Sequence, residues 1–243
     1  MYKGPYNTPM ALASRPLMAL FWAVFATQVA LIAVVILLNV LFSGWASAQF
    51  QPGGDVSSQW LIYTLGNFAV LVAMTLWADR IGAGPFGGSI RSSSDWVAIG
   101  AVTGPIILTL TSALVGMLFS DGDPGWMYRE DFDTRIVSGE AFGPLMICFA
   151  VLLAPVLEEI AFRGIGLGCL LARGWPPIAS VVLTSAAFTG LHMNYVLPAL
   201  IPIFIMGLYL GALRIISGSM AAPIAAHVSA NGISMLVLAL SLI

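Results

Sequence analysis

Apolar residues run along this chain in stretches of roughly 20, broken by short polar segments. A stretch of that length matches the hydrocarbon thickness of a bilayer when it is helical. Seven such runs are readable, at about 17–42, 60–78, 96–119, 142–172, 177–193, 197–216 and 220–242. The breaks carry turn chemistry: QPGGD near 51–55, IGAGPFGG at 81–88, DGDPG at 121–125 and RGWPP at 173–177. The pattern predicts an all-α polytopic membrane protein with about seven transmembrane helices. Small residues recur at helix-contact spacing, as Gly100/Gly104, Gly164/Gly168 and Gly207/Gly211, and read as packing notches between neighbouring helices. The segment Asp121–Glu140 is the most polar part of the chain and is expected outside the membrane.

Composition sharpens this picture. The chain of 243 residues is 59% hydrophobic and 8% charged. A soluble domain carries about 25% charged residues, so this chain cannot cover a soluble surface. A net charge of −2 gives no reason to expect a nucleic-acid partner. Cys148 and Cys169 are far apart if they share one helix, about 31 Å, so they are expected as unbridged, small packing residues. The first apolar run is followed by Ala46-Ser47-Ala48, which looks like a signal-peptidase site, but the run is too long for a signal core and reads as a retained span. Lys3, Arg15, Arg80, Arg91, Arg173 and Arg214 all fall on one side if the spans alternate, which predicts a cytoplasmic N-terminus.

The stretch LLAPVLEEIAFRG, Leu152–Gly164, interrupts that economy of charge. It places two adjacent carboxylates and an arginine inside a span, where each charge costs about 2.5–3.5 kcal/mol. Glu159 and Arg163 stand at i,i+4 with the acid first, the favourable order for an ion pair. Glu158 is turned by about 100° and is left for another neighbour. Two further pairs share the same spacing, Phe188 with His192 and His227 with Asn231. Counting from the Arg173–Pro177 turn puts Glu158 at about 24 Å and His192 at about 22 Å of depth. His227 and Asn231 come out shallower, at about 12 and 18 Å, and need helix tilt to join them. A base, imidazoles and an amide are the parts of a hydrolytic site. Zinc held by Glu158, His192 and His227 is the alternative chemistry. A proton-coupled transporter and a non-catalytic immunity or scaffolding protein are the alternatives from other classes.

Together, E158-E159-x-x-x-R163, F188-x-x-x-H192 and H227-x-x-x-N231 resemble the three motifs of the CPBP intramembrane proteases, a family that includes type II CAAX prenyl endopeptidases and bacterial proteins linked to bacteriocin immunity. The resemblance implies a protease core formed by the last four spans, residues 141–243, preceded by three spans and the acidic loop in residues 1–140. It implies glutamate-activated water, with no metal or other cofactor. Glu158 would be the general base and His192 would hold or polarise the water. His227 and Asn231 would stabilise the oxyanion, while Glu159, Arg163 and Phe188 would orient the site. The expected partners are the lipid bilayer and a membrane-bound protein or peptide substrate. A bacterial cytoplasmic membrane is the expected location.

Overall fold

The computed structural model describes residues 9, 12–13, 29, 32–42, 44–49, 54–84, 86–120, 143–193 and 195–241. Most of the first apolar run and the acidic loop 121–140 lie outside the described residues. The rest is helical: α1 Ile32–Leu41, α2 Trp45–Gln49, α3 Val56–Arg80, α4 Ser94–Phe119, α5 Pro144–Ala172, α6 Pro177–Gly190, α7 Leu200–Ser217 and α8 Ala221–Ser241. A single 3₁₀ turn, Leu197–Ala199, leads into α7. Four helical stretches are long and apolar enough to cross a membrane: Ser57–Arg80, Ser94–Phe119, Pro144–Ala172 and Leu197–Ser217. The chain is therefore an all-α integral membrane protein.

Its apolar residues point both ways. On α4, Val102, Ile106, Leu110 and Leu114 form an i,i+4 stripe that is exposed, while Gly100, Gly104, Val115 and Gly116 are buried on the inner face. A stripe of that kind has no place in water and is solvated by lipid tails. Inside, one cluster joins Val70, Met74 and Ala78 of α3 to Leu157, Phe162 and Ile165 of α5 and Phe188 of α6. A second joins Met206, Leu210 and Leu213 of α7 to Ala222, Ala226 and Ala230 of α8.

Glycines set the helix separations. A Cβ on Gly100 would lie 2.5 Å from the Ala222 carbonyl oxygen, and one on Gly104 would lie 2.4 Å from that of Ala226. Helix α8 therefore touches the α4 backbone directly at two points one turn apart. Gly207 and Gly211 do the same for Ser185 and Val181 of α6. Gly164 of α5 meets the α3–α4 loop instead, where its Cβ would fall 2.2 Å from the Phe86 carbonyl oxygen. That loop turns through Gly82, Gly84 and Gly87, all with positive φ, and Ser89 accepts a bond from the Met220 N–H at 2.7 Å. The loop containing Arg91 and the turn after Arg214 thus meet at one end of the bundle.

Two sequence expectations change. Helix α6 has 14 residues and ends at Gly190, not 193. Its last turn tightens: the His192 N–H bonds to Thr189 O at 2.9 Å and the Tyr195 N–H to His192 O at 3.0 Å. An apolar run continues across this turn, which is why hydropathy alone extends the helix. Of the cysteines, both unbridged, Cys169 packs in the core but Cys148 is exposed on the outer face of α5.

Candidate active site

Helix α5 is not uniformly α-helical. Two π-helical turns, Cys148–Leu153 and Ile160–Gly166, flank the regular segment Ala154–Glu159. The paired glutamates end that segment. Such widened turns are frequent at functional sites.

The two carboxylates have different surroundings. Glu159 is fully buried, and its Oε1 accepts from Arg163 Nη1 at 2.9 Å and from His227 Nδ1 at 2.9 Å. Arg163 is equally buried. Its Nη2 donates to the Gly207 carbonyl at 3.1 Å, and its guanidinium lies 4.5 Å from the centre of the Phe188 ring. The expected Glu159–Arg163 pair is thus present. Gly207 is the partner that the sequence did not reveal, because a backbone carbonyl carries no side-chain signal. Its lack of a side chain is what lets α6 and α7 close beside the guanidinium.

Glu158 is 20% exposed, and its Oε2 lies 3.6 Å from His227 Nε2. That gap is longer than a direct hydrogen bond. His227 therefore stands between the two acids. A carboxylate only accepts, so the bond to Glu159 puts the proton on Nδ1 and turns Nε2 toward Glu158. Depth counting made His192 the nearer match for Glu158 and left His227 short. The structure brings His227 beside both acids because α8 packs against α5 as well as against the α4 glycines.

His192 sits just past the end of α6, with Nδ1 3.0 Å from Phe188 O. If Nδ1 donates this bond, Nε2 is left as an acceptor. Phe188 links the components. Its ring centre is 4.8 Å from that of His192, 5.7 Å from that of His227 and 5.5 Å from that of Phe162. Tyr195 adds a second ring beside His192, at 6.0 Å. Asn231, one turn beyond His227, donates from Nδ2 to the Ala150 carbonyl at 2.8 Å. Among the described residues, no group of three or more His, Cys, Asp or Glu side chains is placed to hold a metal ion, so Glu158, His192 and His227 do not converge as a ligand set.

Glu158, Glu159, Arg163, Phe188, His192, His227 and Asn231 all fall within residues 140–233, and this stretch matches the family described as type II CAAX prenyl endopeptidase Rce1-like. An Escherichia coli protein named "uncharacterized 24.3 kDa protein" is 30% identical over 111 residues, which are 44% of this chain and 51% of that protein. The match thus spans about half the length of that relative. No solved structure matches the chain. The three motifs of the sequence and the match over the same residues agree: residues 140–233 are similar to the CPBP/CAAX protease family.

Proposed function

We propose that this protein is an intramembrane endopeptidase that hydrolyses a peptide bond in a membrane-associated protein or peptide, with Glu158 as general base on the attacking water. Residues 141–243 form the protease core, the preceding residues complete the membrane bundle, and the N-terminus faces the cytoplasm. The observation that carries this reading is the division of labour between adjacent acids around one imidazole. Glu159 is engaged by Arg163 and His227 through Oε1. Glu158 keeps partial access and faces His227 Nε2 across 3.6 Å, a span suited to two groups that share a water or a substrate oxygen.

The steps follow from those positions. Glu158 removes a proton from water as the water oxygen bonds to the scissile carbonyl carbon. The carbonyl π pair moves onto its oxygen, and His227, with Nε2 protonated in addition to the Nδ1–H held by Glu159, donates to that oxyanion. Collapse of the tetrahedral intermediate breaks the C–N bond, and Glu158 returns its proton to the leaving amine. His192 offers Nε2 as a second acceptor for the water. Arg163 and Phe188 hold this arrangement in place.

The test is peptide-terminus mapping on membranes from cells that express wild type or Glu158→Gln at matched levels. Loss of a general base lowers turnover by about 10²–10⁴-fold. New termini near a membrane boundary should appear with wild type and vanish with the variant. Termini that persist unchanged in Glu158→Gln would overturn the assignment of the base.

A further inference from the structure

The Ala150 carbonyl is left over by its own helix. In an α register it would accept from the N–H four residues on, that of Ala154. That N–H bonds instead to Phe149 O, which is the i→i+5 pattern of the π turn. In a π register Ala150 would accept from residue 155. Residue 155 is Pro155, which has no N–H. Neither register supplies a donor, and a bare carbonyl within a membrane helix is costly. Asn231 Nδ2 fills the position at 2.8 Å from a different helix.

We propose that Pro155 and Asn231 act as one device: the proline opens the π turn, and the asparagine braces the carbonyl it strands, so that Glu158 is held in rotation toward His227. Helix α8 then grips α5 at two points one turn apart. His227 holds Glu159, and Asn231 holds the Ala150 carbonyl, eight residues before Glu158. Asn231 is thereby a positioning residue. One of its two amide hydrogens is engaged with the protein backbone. This inference rests on the proposed protease activity only for its kinetic readout.

A double-mutant cycle between Pro155→Ala and Asn231→Ala tests it. Alanine at 155 restores an N–H in the helix, so the brace becomes dispensable. In the wild-type background, Asn231→Ala should lower kcat by about 10- to 100-fold, as expected of a displaced catalytic group, with KM nearly unchanged. Its thermal midpoint in detergent should fall by about 2–4 °C. In the Pro155→Ala background both effects of Asn231→Ala should shrink to a small fraction. An undiminished loss of kcat with no coupling in the midpoints would overturn the proposal and return Asn231 to the reacting atoms. If Pro155→Ala alone removes cleavage, the midpoints decide: coupling supports the brace, and additivity sinks it. If wild type itself cleaves nothing, the protease reading fails, while the midpoint cycle still decides the brace.

Discussion

Arg163 is the side chain on which the site's charge balance turns. It is buried with Glu159, whose Oε2 has no hydrogen-bond partner among the described residues. The pair is therefore only partly satisfied, and removing the cation would leave a buried carboxylate without compensation. Breaking such a pair costs about 3–5 kcal/mol, whereas replacing both partners by apolar groups of similar volume is often close to neutral. Arg163→Met should thus deplete folded protein in the membrane. Arg163→Met combined with Glu159→Met should restore the fold but not cleavage. Measuring the folded fraction and the activity of both variants checks this, and a single variant as abundant as wild type would refute it. The pair itself was legible in the sequence, because acid-then-base at i,i+4 is a local rule. The contact of His227 with both acids was not, because it depends on how α8 crosses α5.

Helices α4 and α8 show how that crossing is fixed. Gly104 allows the Ala226 carbonyl to approach within 2.4 Å of where a Cβ would be, and Ala226 is next to His227. Gly104→Ala must push α8 outward and carry His227 from the acids. Gly232 faces the opposite case, with Val151 Cγ1 at 3.6 Å from its would-be Cβ, an ordinary contact. Alanine is the better helix former by about 1 kcal/mol. Gly104→Ala should therefore lower the thermal midpoint and the cleavage rate, and Gly232→Ala should hold or raise the midpoint. Equal midpoints for the two variants would show that the glycines do not set the helix separation. The sequence marked Gly100 and Gly104 as notches by spacing alone. It could not name their partner, since spacing specifies a face and not the neighbour. The π turns of α5 also escaped hydropathy, although Pro155 was a visible reason for the helix to depart from regularity.

At the level of the molecule, the membrane class and the limits of most described helices were readable because lipid imposes length and apolarity on each helix. The short α6 was the exception. Fourteen residues rise about 21 Å, against a hydrocarbon core of about 30 Å. The helix that leads to His192 is shorter than that core, and the exposed Met193 and Leu197 follow in the turn and in the 3₁₀ turn before α7. A short lipid-facing helix favours a locally thinner bilayer. Thinning on that flank would bring the aqueous phase closer to the proposed hydrolytic centre, which consumes water. Turnover should therefore rise in thin dimyristoyl phosphatidylcholine vesicles and fall in thick dieicosenoyl ones. Equal rates across such a series would mean that the neighbouring helices shield α6 from lipid and that water reaches Glu158 by another route.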